Sequence, residues 1–259
     1  MIKKVIHYSW FSGEEFPEQV KVCINSWHKY LPDYEFKLWD LKAVQSIDSV
    51  FLKESLSVKK WAFAADYTRL YALYHEGGIW LDTDVELLGS FDEFLDNKCF
   101  VGKERFYNLP TYVNVGLCRY LTSHCFGAEA GHPYIKRCLD FYEGRHFIES
   151  DNVTLPNDLR FNMMLIPYVM ARIAYECGYN WKPKYQEVQY LSEGLTIYPT
   201  SFFDGDGGKK CIAIHHHIGG WYDINGGSNK KVSRSRIKSE LFRMVVRFLY
   251  KCGFVIYRL

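Results

Sequence analysis

Ala64-Ala65-Asp66-Tyr67-Thr68-Arg69 leads, through Tyr74-His75-Glu76-Gly77-Gly78-Ile79-Trp80-Leu81, to Asp82-Thr83-Asp84-Val85. In this one stretch a helix, a stop, a strand and an acidic pair follow one another. From about Val58 to Glu76 there is no Gly or Pro, and Trp61, Ala65, Leu70 and Leu73 form a helical apolar stripe. Gly77 and Gly78 suit the left-handed backbone that closes a helix. Ile79-Trp80-Leu81 is short and wholly apolar, the pattern of a buried strand.

Two residues apart in an extended segment, Asp82 and Asp84 project from one face with Cα atoms roughly 6.5 Å apart. Two carboxylates hold a hard cation weakly, yet Mg²⁺ or Mn²⁺ keeps positions that water or a diphosphate fills. Upstream, Asp66 and Arg69 are spaced i, i+3 and share a helix face, an acceptor beside a cationic fork. Taken singly, Asp-x-Asp is often a solvated turn and Asp-x-x-Arg a weak surface pair. Here it is their order that points to chemistry.

Asp-x-x-Arg on a helix, followed by Tyr-x-x-Gly-Gly-Ile-Trp-Leu-Asp-Thr-Asp-Val, resembles the central motif of glycosyltransferase family 32, which the glucosylating domains of large clostridial toxins share. The resemblance implies an α/β fold of GT-A type with a mixed central sheet. It also implies roles by position. Asp66 and Arg69 would contact donor sugar and ribose, Asp82 would touch ribose and sugar, and Asp84 would ligate Mn²⁺ (or Mg²⁺) on the diphosphate of a nucleotide diphosphate sugar.

Other segments extend the likeness. Val5-Ile6-His7-Tyr8-Ser9-Trp10 reads as the first buried strand, and the family's similar edge makes Trp10 the residue that stacks on the base. A helix from Pro17 to Tyr30 carries Val20, Ile24 and Trp27 on one side, and Glu35 to Asp40 reads as a second strand, completing a βαβ unit. Residues 41–57 suggest a short helix and a connection. Val85 to Leu88 is expected to continue the strand, with a short helix near Phe91 to Leu95 and further strands at Cys99–Gly102 and Val113–Leu117. Asn114 lies where the family often has a donor-sugar Asn.

Gly131-His132-Pro133 opens a helix to about Tyr142, residues 144–160 lack a clear period, and Asn162 to Gly178 is helical with Pro167 as kink or true start. Asp204-Gly205-Asp206 repeats the Asp-x-Asp spacing but is glycine-rich and reads as a loop. Cys211 to Ile214 then forms a strand into His215-His216-His217, with Trp221 close behind. The family's Ile-His-His-x-x-x-Ser-Trp ending puts His215 and His216 near the metal and Trp221 near the diphosphate, although Gly220 replaces the Ser. Strand alternation sets His216 opposite His215 and His217, so only one set can meet an ion; His216 is the first expectation.

At 259 residues, 48% hydrophobic and 17% aromatic, the chain can bury a large core. Its eight cysteines contain no C-x-x-C and no zinc spacing, and read as reduced thiols. The first strand begins without a signal-peptide pattern and no apolar run nears the roughly 18 residues of a membrane span, so the expected compartment is the cytoplasm. The division expected is a catalytic domain over residues 1–228 and a basic amphipathic helical tail over 229–259. Residues 230–259 carry nine basic residues against Glu240, a net +8 in a chain of net +2, which leaves −6 for the remainder. In the tail Ile237, Leu241, Met244, Val245, Phe248 and Leu249 recur at helical spacing among the basic residues, which suits an anionic membrane surface and a peripheral location.

These features favour transfer of a sugar to a glycan or lipid-linked saccharide hydroxyl, in surface polysaccharide synthesis, with retention implied by the family. No nucleic-acid partner is expected. A nucleotide-sugar phosphohydrolase and a non-catalytic carbohydrate-binding protein are the competing readings.

Overall fold

A computed structural model describes residues 1–104, 120–155, 157–181, 186–205 and 207–218. The expectations for Asn114, the strand at 113–117, Asp206, Trp221 and the tail lie outside these residues.

The chain opens with the expected unit: strand β1 (Val5–Ser9), helix α1 (Glu18–Tyr30) and strand β2 (Glu35–Trp39). β1 and β2 pair in parallel, as a strand–helix–strand crossover requires. Helix α2 (Val50–Ser57) follows, with the Ser49 side chain accepting from the Leu52 N–H at its start. Helix α3 (Trp61–Glu76) starts three residues later than the sequence suggests, because Lys59 takes a positive φ of 57° and separates it from α2.

Gly77 ends α3 with φ 70°, and its N–H bonds back to Leu73 O. Gly78 at φ 110° begins strand β3 (Gly78–Leu81), and a Cβ there would lie 2.7 Å from Val5 O. Both glycines are thus required, one by the turn and one by the close approach of β1.

The strand does not continue through the aspartates. Val85 N–H bonds to Asp82 O at 3.0 Å, so Asp82 to Val85 is a turn. Strand β4 (Val85–Leu87) then leaves the main sheet for a two-stranded one. The helix expected near Phe91 is a single 3₁₀ turn, Asp92–Phe94, and strand β5 (Cys99–Lys103) forms as expected.

Strand β6 (Leu121–Ala128) has no counterpart in the sequence reading, yet every residue in it is buried. Next come helix α4 (Pro133–Asp140), the short helix α5 (Asn157–Arg160) and helix α6 (Ile166–Glu176), with Pro167 marking its start rather than a kink. Strands β7 (Gln189–Tyr190) and β8 (Leu195–Tyr198), the short helix α7 (Thr200–Phe203) and strand β9 (Ala213–His215) complete the described chain.

The main sheet is mixed and seven-stranded, in the order β2-β1-β3-β6-β5-β8-β7, which is the expected α/β class. Alternate residues feed two cores. Trp80, Val101 and Phe126 pack with α2, α3, α4 and α6 on one face; Ile79, Leu81, Phe100 and Cys125 pack with Trp27 of α1, Phe91 and Phe203 on the other. β1, β2 and β3 are parallel, while β6 is antiparallel to both β3 and β5, so β3 and β5 point the same way; β8 is parallel to β5. One edge of the sheet therefore gathers the carboxyl ends of β1, β2, β3, β5 and β8. In open α/β sheets that edge is where ligands bind.

Candidate metal and donor site

The acidic turn sits at this edge and is clamped from both sides. Trp27 of α1 donates its indole N–H to Val85 O at 2.7 Å, and Ser26 Oγ accepts from Leu87 N–H at 2.8 Å. Across the small sheet β9 pairs antiparallel with β4, Val85 opposite His215. His216 N–H bonds to Asp84 O and Ile218 N–H to Asp84 Oδ2, both at 3.0 Å. Asp82 N–H bonds to His124 O at 2.9 Å. Residues more than 120 positions apart are thereby fixed around one turn.

Asp82, Asp84 and His215 each offer a ligand atom within 4.8 Å of the others. His215 Nε2 lies 3.3 Å from Asp84 Oδ1. Burial pushes the Asp84 carboxyl up, but the hydrogen bond and charge of His215 and the Ile218 N–H outweigh it and hold it down at about 2. His215 answers in kind: burial lowers it, but Asp84, Asp82 and Asp204 together raise it. Its ring stacks on His124, centroids 4.2 Å apart, and meets His217 at 4.0 Å. His124 bonds through Nε2 to Phe203 O at 2.9 Å, and burial, then His215, keep it well below an ordinary histidine.

The helical pair meets the turn from α3. Arg69 is 4% exposed; its NH2 lies 3.0 Å from Asp66 Oδ1 and 3.3 Å from Asp82 Oδ1. NH1 donates to Ser123 O at 2.6 Å and Nε to Ala65 O at 3.2 Å. Trp80 Nε1 adds a bond to Asp82 Oδ1 at 2.7 Å. Burial raises Asp66 to about 7, against the pull of Arg69 and with a further push from Asp82. The guanidinium thus ties helix, turn and β6 together, and Asp82 is oriented by two donors.

The family model described as "Glycosyltransferase sugar-binding region containing DXD motif" matches residues 17–101, from α1 through the acidic turn to β5. The match covers about a third of the chain. Among curated proteins the chain is similar to inositol phosphoceramide mannosyltransferase 1 of Schizosaccharomyces pombe, 26% identical over 168 residues, 60% of this chain and 48% of the relative. It is also similar to inositol phosphoceramide mannosyltransferase 3 of the same yeast, 28% identical over 138 residues, 52% of this chain and 35% of the relative. The chain spans about half the length, or less, of these curated relatives. Among solved structures it is similar to the PaToxG glycosyltransferase (19% identity, 68% of this chain and 69% of that one, TM-score 0.45) and to the galactosyltransferase LgtC with donor and acceptor sugar analogs (13%, 76% and 74%, TM-score 0.39).

Among the described residues, the expected site residues fall into three groups. Asp66, Arg69, Asp82, Asp84 and His215 come together. His216, the first expectation for the metal, instead points away, its Nε2 2.8 Å from Glu86 Oε2. Alternation along β9 does separate the histidines as the spacing predicts, but the register with β4 turns His215 inward. Trp10 stands apart, just past the end of β1 at the same sheet edge, its indole N–H bonded to Glu14 O at 2.7 Å and its ring against Phe16.

His7, in the strand that precedes Trp10, is structural: Trp39 donates to its Nδ1 at 3.1 Å and its Nε2 meets Gly77 O at 2.9 Å. Sequence reasoning missed His124 and Ser123 on β6, and Glu104 after β5. Ser123 and His124 lie in a polar patch, Thr122-Ser123-His124, inside a buried strand, and Glu104 carries no such signal.

Proposed function

We propose that the protein is a metal-dependent glycosyltransferase that moves a sugar from a nucleotide diphosphate sugar to a hydroxyl acceptor. The observation that carries this reading is the convergence of Asp82, Asp84 and His215 at the carboxyl edge of the sheet, beside a buried Arg69. Two carboxylates and one imidazole are ligand types that suit Mn²⁺ or Mg²⁺. Asp84 and His215 are the ligands proposed to hold it, with Asp82 beside them. Held by Asp84 and His215, a divalent cation would supply neutralisation of the charge that grows on a leaving diphosphate. Arg69, held by Asp66 and Asp82, keeps the Asp82 carboxylate turned to the edge, and Asp66 supports the sugar side. Attack by the acceptor on the face the diphosphate leaves would retain the anomeric configuration.

The relatives are named as inositol phosphoceramide mannosyltransferases, which puts mannosyl nucleotides first in a donor screen and lipid-linked or surface saccharides first among acceptors. The test is a thermal-shift and binding screen of nucleotide sugars with and without Mn²⁺, on the protein and on Asp84→Asn. The expected result is a Mn²⁺-dependent shift that Asp84→Asn abolishes while the variant keeps its fold. Mn²⁺-dependent turnover that survives in folded Asp84→Asn would sink the assignment. Product analysis with and without acceptor separates transfer from hydrolysis.

A further inference from the structure

Another carboxyl group stands at the same edge, and the proposed reaction has given it no task. Glu104 directly follows β5, which runs parallel to β3 with only β6 between them. It is therefore delivered to the edge that carries Asp82, two strands along, about 10 Å at ordinary strand spacing. It does not belong to the group of ligand atoms formed by Asp82, Asp84 and His215. Its charge is nevertheless coupled to His215 and to Asp204, which lies just past α7 and is 3% exposed. Glu104 Oε2 is shut off from solvent and has no hydrogen-bond partner among the described residues. A dry carboxyl oxygen without a partner is costly, and a fold that keeps one at a ligand-binding edge leaves it for a ligand group.

We propose that Glu104 is a specificity-determining residue that hydrogen-bonds a sugar hydroxyl beside the metal site. The inference rests on the glycosyltransferase reading above and assigns its sugar subsite. The chemistry selects the group. A diphosphate offers no donor and so can meet only the protonated carboxyl, whereas a sugar hydroxyl both donates and accepts and can pair with Glu104 in either protonation state. Burial, with Asp204 and against His215, raises Glu104 to about 8, so its neutral form can also donate. The hydroxyl belongs either to the donor sugar or to the acceptor, and the test separates these.

Binding is measured with Mn²⁺ for UDP, GDP, UDP-glucose, UDP-galactose and GDP-mannose, and then for methyl α-mannoside and methyl β-galactoside in the presence of the bare nucleotide. Wild type is compared with Glu104→Ala, Glu104→Met and Glu104→Gln; Met fills the space without an oxygen, and either folded truncation suffices. The expected result is that bare nucleotides bind as in wild type, while a sugar-bearing ligand weakens about tenfold or more on loss of the carboxyl. Loss on the nucleotide sugar assigns the donor, and loss on the methyl glycoside the acceptor. Glu104→Gln, which keeps an acceptor and adds a donor, recovers most of the affinity. Wild-type affinity of a folded truncation for every ligand that wild type binds would overturn the inference alone. If wild type binds none of the nucleotides with Mn²⁺, the glycosyltransferase reading fails and takes the inference with it.

Discussion

On the proposed reading, a proton and a metal ion compete for one nitrogen of His215. Nε2 lies 3.3 Å from Asp84 Oδ1, and although burial works against the charged ring, Asp84, Asp82 and Asp204 raise its pKa above 6.5. An imidazolium has no lone pair to give, so a cation that takes Nε2 must release that proton. Below the raised pKa the site is therefore blocked, and Mn²⁺ affinity should strengthen as pH rises through it. Titrating Mn²⁺ between about pH 6 and 8 should show this slope, approaching tenfold per unit on the acid side. His215→Ala should bind more weakly and lose the slope, whereas His216→Ala, whose ring lies against Glu86, should keep both. A wild-type affinity that does not change with pH would contradict the pairing. The spacing of the histidines was readable in the sequence, since alternation separates 215 from 216. Which one turns inward was not, because the register of β9 on β4 decides it.

The elements show the same division between local and tertiary information. β1, α1, β2 and α3 announce themselves through apolar periodicity and stop signals, and Gly77-Gly78 marks a turn whose geometry the structure bears out. β6 stays hidden because its polar residues find partners far away in the chain. Thr122 Oγ1 accepts from Gly102 N–H and donates to Cys125 O, and His124 bonds to Phe203 O, so a strand with Thr, Ser and His can be fully buried. The acidic stretch turns where its sequence suggests an extended segment, because the Val85 N–H to Asp82 O bond depends on β4 being captured by α1 and β9. The junction of α3 and β3 gives a prediction at this scale. Gly78→Ala would combine φ 110° with a Cβ 2.7 Å from Val5 O, which belongs to backbone and cannot swing aside. The expected loss is about 2–4 kcal/mol of stability, read by urea or thermal unfolding. An unchanged unfolding midpoint would mean that β1 and β3 do not approach as described.

For the molecule as a whole, the site is a product of topology. β1, β3 and β5 each end at one edge, so Trp10, Asp82 and Glu104, spread over almost 100 residues, are delivered to that edge. If this edge is the proposed transferase site it has to meet an acceptor, and the charge distribution bears on how. Residues 230–259 hold a net +8 while the rest of the chain holds −6. Among the described residues no helix is long and apolar enough to cross a membrane, and the tail itself lies outside them, so the argument rests on its sequence. Its apolar residues from Ile237 to Leu249 repeat at helical spacing, with Arg234, Lys238, Arg243, Arg247 and Lys251 among them. Basic residues near an anionic surface gain about 1 kcal/mol each, so five of them suffice to hold a protein there without a spanning segment. We propose that the tail brings the sheet edge to a lipid-linked acceptor. Flotation with acidic liposomes should then carry the full chain up and leave a chain ending at Asn229 in solution, and raising the salt should release the full chain. If the full chain stays in solution at low salt, or if the shortened chain floats equally well, the tail is not the anchor and its apolar stripe belongs against the protein.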